Sequence, residues 1–186
     1  MGARVTAATM PEAHRLLVKE CGGDAVERAL ARLPDAVREE WTAATPVGWV
    51  EADTVEAVFT EVAREANRDV AELQVAITRA ATERAFRTMW RILLRLTSDR
   101  ALVTRAPLMH RKSFAQGELT AEVPQAGRGE LRLSGWPDVS DFHLRSFAAG
   151  IAAVLELAGR RGVRCAWERA PGGARFALTW DRGAQP

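Results

Sequence analysis

The spacing of apolar residues changes along this chain from about 3.6 to 2 positions, and that change limits the folds open to it. Up to Pro107 the apolar residues recur every three or four positions, which predicts amphipathic helices. After Pro107 they alternate with polar residues, which predicts strands with one buried side. Helices followed by short, locally connected strands predict an α+β protein whose sheet is antiparallel.

The first 110 residues are predicted to be helical. A first helix over residues 11–20 stops at two consecutive glycines, and a second follows Asp24. Residues 45–48, Thr-Pro-Val-Gly, interrupt the pattern and form the expected hinge. Asp53 is the expected N-cap of the next helix, and a longer helix is predicted from near Asp69 to about Leu96.

Two β-hairpins joined by a helix are predicted for the last third of the chain. The first hairpin covers residues 119–134 and turns at 124–127. A helix is expected over residues 140–160, and the second hairpin, over residues 163–180, turns at 171–173. Because both hairpins are local, the four strands are expected to form one antiparallel sheet with one polar face.

The expected organisation is a single domain over residues 1–186. A helical N-terminal part occupies residues 1–48, long helices occupy 49–112, and the hairpin-helix-hairpin sheet occupies 113–181. A globule of 20.4 kDa buries about 70% of the surface of its unfolded chain, which is enough for a core without disulfides or structural metals.

Charge and cysteine usage exclude several classes of function. The 26 basic and 24 acidic residues leave a net charge of +2, which does not predict nucleic-acid binding. Cys21 and Cys165 lie outside any Cys-x-x-Cys, so no redox motif or cysteine zinc site is expected. No apolar stretch is long enough to predict a membrane span or a signal peptide, and we expect a cytoplasmic protein.

No catalytic residue and no metal ligand are predicted from the motifs. The three histidines are far apart in sequence, so no pair on one helix face predicts a zinc site. Ser134, Ser140, Asp141 and His143 are close in sequence and include the residue types of a nucleophilic triad. However, Ser140 or Asp138 is already expected to cap the next helix, and Ser134 lies outside a nucleophile elbow. We therefore expect no enzyme activity.

Four residues are predicted to bind a ligand or a partner. Trp90, on the long helix, and Trp136, beside a proline, are placed to border a cavity or a subunit contact, the alternative being an ordinary core position. Arg87 and Arg91 belong to a stripe of arginines on the polar side of the long helix. That stripe is either a solvated face or a surface for an acidic partner.

Several segments of residues 49–180 resemble the domain of unknown function 2378, a group found in some social soil bacteria. They are Ala-Phe-Arg-Thr-Met-Trp-Arg-Ile-Leu-Leu-Arg-Leu at 85–96, Arg-Ala-Pro-Leu-Met-His-Arg at 105–111, Gly-Glu-Leu at 117–119 and Leu-Arg-Leu-Ser-Gly-Trp-Pro at 131–137. That group is distantly similar to haem-NO-binding domains and four-vinyl-reductase-type domains. The resemblance implies a helical half followed by hairpin, helix and hairpin.

The same resemblance suggests one cofactor site. In haem-NO-binding domains a proximal histidine lies on the helix before the first hairpin, and His110 occupies a comparable place. Those domains also hold the haem propionates with a Tyr-x-Ser-x-Arg motif, whereas this chain has no tyrosine. Since the motif is missing, we expect no cofactor, and a haem or gas sensor with His110 as axial ligand is the alternative.

Relatives of this kind bind small apolar ligands or partner proteins, and several of them dimerise. The resemblance therefore predicts a non-enzymatic cytoplasmic binding or sensory module that engages a partner protein or a small apolar ligand. We expect it to act as a homodimer.

Overall fold

A computed structural model describes residues 2–86, 94 and 96–181. The chain folds as two compact units. The N-terminal unit comprises residues 1–81 and 113–115, and the C-terminal unit comprises residues 82–112 and 116–186. The division of one domain into parts 1–48, 49–112 and 113–181 stays a prediction.

Helices form most of the N-terminal unit, and their apolar sides meet in its core. Leu17, Val58 and Leu73 are fully buried there. The elements are β1 (Arg4–Thr6), a 3-10 turn (Ala7–Thr9), α1 (Met10–Cys21), α2 (Gly23–Arg32), α3 (Asp35–Thr42), β2 (Trp49–Glu51), α4 (Ala52–Glu65) and α5 (Val70–Ala85), which continues into the C-terminal unit.

A two-stranded antiparallel sheet is the one part of this unit that the helical pattern does not predict. β1 pairs with β2, and Val5 lies opposite Val50. Both valines are buried. Each strand has three residues and a single buried position, so neither contains enough residues to show an alternating pattern.

The starts of two helices differ in detail from the predicted ones. α4 begins at Ala52, so Asp53 lies in the first turn and Glu51 takes the N-cap position. α5 begins at Val70, and the Asp69 carboxylate accepts a hydrogen bond of 2.9 Å from the backbone N–H of Glu72. Of the predicted continuation to Leu96, residues 87–93 and 95 lie outside the described residues.

The C-terminal unit consists of short helices, a hairpin, a long helix and a second hairpin. This confirms the predicted α+β class and the order of the elements. They are α6 (Asp99–Val103), α7 (Ala106–Ser113), β3 (Glu118–Gln125), β4 (Arg128–Ser134), α8 (Asp141–Leu157), β5 (Arg164–Ala170) and β6 (Gly173–Thr179).

The four strands form one antiparallel sheet in the order β3-β4-β6-β5. Leu131 on β4 lies opposite Phe176 on β6, and both are buried. Their neighbours Arg132 and Arg175 are exposed on the other face. The register of β3 against β4 shifts between Glu122 and Gln125. Period-two alternation thus produces the predicted polar face, while α8 packs on β5.

The two cysteines differ in their surroundings. Burial raises the pKa of the Cys165 thiol on β5 to about 12. Burial also raises the pKa of Cys21, at the end of α1, but the nearby Arg68 guanidinium opposes that change. The nucleophilic thiolate is therefore scarcer at Cys165.

We expect iodoacetamide at pH 8 to alkylate Cys21 faster than Cys165 in the folded chain. A thiol with a pKa of about 12 holds about one thiolate in 10,000 molecules at pH 8, against roughly one in four at an ordinary pKa of about 8.5. Peptide mass spectrometry over time gives both rates. The two rates should converge in 6 M guanidinium chloride, and equal rates in the folded chain would contradict the assignment.

Candidate functional site

The candidate site is a buried cluster of rings in the C-terminal unit. It draws on α7, on the loop after β4, on α8 and on β6. We refer to the following six residues as the aromatic cluster: His110, Trp136, Phe142, His143, Phe147 and Phe176.

His110 enters the cluster from α7. It is 3% exposed, and both of its ring nitrogens are shielded from solvent. Its ring stacks on Phe147, with centroids 5.5 Å apart and planes inclined by 20°. Burial lowers the pKa of this imidazole, because a charged ring loses its hydration there. His110 is therefore neutral at pH 7.

Trp136 reaches the cluster from the turn that follows β4. Gly135 has a φ of +71°, in the left-handed region that glycine adopts without a steric penalty. The backbone N–H of Trp136 donates to the Gly172 carbonyl at 3.0 Å. The indole lies 5.6 Å from the His143 ring and meets Phe147 edge-on at 6.4 Å. These contacts bury Trp136 to 5% exposure.

α8 contributes three of the six rings because their spacing places them on its buried side. His143 and Phe147 are four positions apart, so they lie one above the other. Phe142 meets His143 edge-on at 5.1 Å, and Phe147 lies 6.0 Å from Phe176 in the sheet. Phe142 and Phe147 lie within the helix predicted over residues 140–160, but that prediction gave no reason to group them with His110.

Ser140 and Asp141 have structural partners at the start of α8. The Ser140 hydroxyl accepts a hydrogen bond from the backbone N–H of His143 at 3.4 Å, which confirms the predicted cap. The Asp141 carboxylate forms an ion pair with Arg169 at 2.5 Å. The Ser134 hydroxyl donates to the Glu118 carbonyl at 3.5 Å. These contacts agree with the interpretation of the segment as a helix start.

A second polar arrangement joins three distant segments of the same unit. The Asp99 carboxylate accepts a hydrogen bond from the Trp180 indole N–H at 3.0 Å and another from Arg160 Nε at 2.8 Å. Arg160 also donates to the backbone carbonyls of Thr97 and Ala158, each at 2.6 Å. This group, which we call the Asp99 clamp, ties the start of α6 to the ends of α8 and β6.

Of the four predicted ligand or interface residues, the structure describes Trp136. It shares the aromatic cluster with His110, and Phe147 contacts both. Arg87, Trp90 and Arg91 lie outside the described residues. The role of all four in binding stays a prediction.

The structure describes neither a metal-binding group nor a membrane-spanning helix in the ranges 2–86, 94 and 96–181. Within them, no three His, Cys, Asp or Glu side chains come together as a metal-binding group. None of the helices described there combines the length and the hydropathy needed to cross a bilayer.

Neither a protein-family model nor a curated protein sequence matches the chain. Solved structures of H-NOX domains do match it. The Fe(II) unliganded H-NOX protein from K. algicida superposes with a TM-score of 0.71 at 10% identity, over 97% of this chain and 98% of that one. A variant of T. Tengcongensis H-NOX gives 0.68 at 16% identity, over 97% and 100%.

A third match is an oxygen-binding H-NOX domain related to soluble guanylate cyclases, solved as its oxygen complex. Its TM-score is 0.64 at 13% identity, over 97% of both chains. Membership of the domain of unknown function 2378 family stays a prediction, since no family model supports it.

These matches contradict the expectation of no cofactor. That expectation came from the missing Tyr-x-Ser-x-Arg motif, whereas the matching structures include an Fe(II) H-NOX protein and one solved to probe haem distortion in the H-NOX family. The chain has the fold of H-NOX domains.

Proposed function

We propose that this chain is a sensor domain that binds haem and uses His110 as its axial ligand. The observation that carries the proposal is a buried, neutral imidazole on the helix before the first hairpin of an H-NOX fold. Haem, when bound, supplies an iron centre at which a diatomic gas binds.

The protonation state of His110 fits axial ligation. Iron binds the lone pair of a neutral imidazole nitrogen, and a protonated ring has none to offer. Because burial lowers its pKa, His110 keeps that lone pair below the pH at which an exposed histidine would lose it. The ring is also oriented, since it stacks on Phe147.

The surroundings of His110 favour a planar apolar group. Trp136, Phe147 and Phe176 present ring faces and edges in one cluster. Aromatic walls of this kind bury a large apolar ligand and keep water away from it. Protein atoms shield both His110 nitrogens, so His110 would hold haem iron only if the atoms that cover its ring moved aside.

This chain lacks the residues that hold the haem propionates in haem-NO-binding domains, because it has no tyrosine and hence no Tyr-x-Ser-x-Arg motif. Haem binding then depends on the axial imidazole and the apolar walls. We therefore expect bound haem to transfer from this chain to a competing apo-globin, at a rate far higher than that of a tightly held haem.

The finer parts of the proposal concern what the sensor does with its signal. We infer a non-enzymatic cytoplasmic module that acts as a homodimer and passes its ligand state to a partner protein. Support comes from the sensor-like fold and from the hydrogen bonds and the ion pair of Ser134, Ser140 and Asp141, which give these residues structural roles.

A second candidate function is the binding of a small apolar ligand by the aromatic cluster. The edge-on contact of Trp136 with Phe147 favours it, because such ring edges and faces pack well on apolar molecules. Native mass spectrometry of the protein purified without unfolding separates the two candidates, since haem and a smaller ligand differ in mass and only haem absorbs near 400 nm.

Haem titration into the purified chain tests the main proposal. We expect a Soret band that saturates at one haem per chain and a His110→Ala variant that loses the band or binds haem at least tenfold more weakly. Added imidazole should restore part of the band, because it supplies the missing ligand. A structural role for His110 alone does not predict this rescue.

His14→Ala is the matched control for this experiment. His14 lies in the N-terminal unit, where its Nδ1 accepts a hydrogen bond from the Trp41 indole N–H at 3.4 Å, so its removal should leave the Soret band unchanged. Far-UV circular dichroism verifies that each variant is folded. A chain that shows no Soret band with excess haem, or a His110→Ala variant that binds haem as tightly as the wild type, contradicts the proposal.

A further inference from the structure

The outer side of α7 carries an exposed stripe of apolar and basic side chains. Arg105, Leu108, Met109 and Lys112 follow one another at spacings of three, one and three, so they share one side of the helix. Leu108 and Met109 are each 44% exposed. The Arg105 carbonyl accepts from the backbone N–H groups of Leu108 and Met109, so Arg105 continues the helix. We call these four residues the α7 stripe.

The stripe lies on the opposite side of α7 from the buried core. His110, one position from Met109, points inward and is 3% exposed. Leu108 and Met109 therefore keep a large part of their apolar surface in contact with solvent. Adjacent exposed apolar residues of this size, rimmed by charge, are typical of protein–protein contact surfaces.

The segment that carries the stripe is positively charged. Residues 100–117 include Arg100, Arg105, Arg111 and Lys112 but no aspartate or glutamate. Arg105, Arg111 and Lys112 are exposed, and none of the three forms an ion pair with a described carboxylate. Elsewhere in the C-terminal unit the exposed Arg175 pairs with Glu130 at 2.7 Å.

We propose that the α7 stripe docks an acidic amphipathic helix of a partner protein. Leu108 and Met109 supply the apolar contact, and the flexible methionine adapts to the partner's side chains. Arg105 and Lys112, at the two ends of the stripe, attract carboxylates that flank the apolar residues of the partner helix. Docking of this kind uses anchors spaced three and four positions apart, the same spacing as the stripe.

The proposal goes beyond haem binding and does not depend on it. Its test uses the full chain without added haem and fluorescence anisotropy with a labelled peptide. The probe is a 16-residue helical peptide with leucines at three- and four-residue spacing and glutamates beside them. A peptide of identical composition, scrambled so that the leucines no longer share a side, is the reference probe.

We expect the amphipathic peptide to bind at least tenfold more tightly than the scrambled one, with an affinity that falls as NaCl is raised. The double variant Arg105→Glu/Lys112→Glu and the double variant Leu108→Ser/Met109→Ser should each weaken binding at least tenfold. Arg164→Glu, a charge reversal at an exposed position on β5, should change the affinity less than twofold. Circular dichroism verifies that all variants are folded.

Three results would overturn the proposal. One is no binding of the amphipathic peptide. Another is that the scrambled peptide binds as tightly as the amphipathic one, or that the stripe variants bind the amphipathic peptide as tightly as the wild type does. The third is that the chain binds phosphatidylserine-containing vesicles, and loses this binding in the stripe variants, while the peptide does not bind. That result would assign the surface to a membrane. Haem titration of the same samples reports separately on His110, so failure of one proposal is distinguishable from failure of the other.

Discussion

Phe176→Ala is expected to destabilise the C-terminal unit by about 3–5 kcal/mol, the usual cost of removing a buried phenylalanine ring from a core. Phe176 is 0% exposed, on a central strand. It lies opposite Leu131 on one neighbouring strand and Trp167 on the other, and its ring is 6.0 Å from Phe147. Removal of the ring therefore takes away its contacts with both neighbouring strands and with Phe147 at once.

Urea unfolding followed by circular dichroism measures the change in free energy. Phe176→Leu should cost much less than Phe176→Ala, because leucine refills most of the space. Thr179→Ala, at an exposed position of the same strand, should stay within about 0.5 kcal/mol. A loss below 1 kcal/mol for Phe176→Ala would show that the sheet does not pack around this ring.

Asp99→Ala is expected to cost about 2–4 kcal/mol, because it leaves a nearly buried guanidinium without its carboxylate. The Arg160 side chain is 14% exposed and pairs with Asp99 at 2.8 Å. The Trp180 indole N–H loses its acceptor in the same variant. Asp99→Asn keeps an acceptor oxygen and removes the charge, so an intermediate loss is expected.

Two measurements separate this effect from a general loss of surface charge. Tryptophan fluorescence should shift to longer wavelength in Asp99→Ala at urea concentrations too low to unfold the wild type, because the Trp180 end of the Asp99 clamp loosens. Glu168→Ala removes an exposed carboxylate whose distance to Arg175 is 3.5 Å, and it should change stability by less than about 0.5 kcal/mol. Equal losses in Asp99→Ala and Glu168→Ala would rule out a clamp.

The hairpins, the long helix over the sheet and the polar face were predictable because each depends on local sequence. Leu131 and Leu133 alternate with Arg132 within one strand, and the turns lie a few residues away. β1 and β2 were not predictable. Val5 and Val50 pair although they are 45 positions apart in the chain. Each strand buries a single residue, so neither strand shows a repeating pattern of apolar residues.

The candidate site was predictable only residue by residue. His110 was named from the family resemblance and Trp136 from its place beside a proline, but their shared neighbour Phe147 lies on a later helix. Asp99 was not predicted as a contact residue, because its partner Trp180 is 81 positions away. Contacts at such separations follow from the packing of whole elements, which periodicity does not specify.

The missing Tyr-x-Ser-x-Arg motif was not a sufficient reason to expect no cofactor. The absence of tyrosine removes one way of holding propionates, yet it does not change the burial of His110 or its neutral state at pH 7. Ring burial depends on Phe147, which no motif in the sequence connects to His110.

The register shift in β3 limits strand pairing between two copies of this chain at that edge. β3 and β5 are the outermost strands of the sheet, and β3 contains Pro124, which lacks a backbone N–H, within the shifted segment. An incoming strand needs a regular ladder of donors and acceptors along such an edge. Sheet extension from copy to copy is therefore disfavoured at β3, which leaves the β5 edge or side-chain contacts on other surfaces for the proposed homodimer.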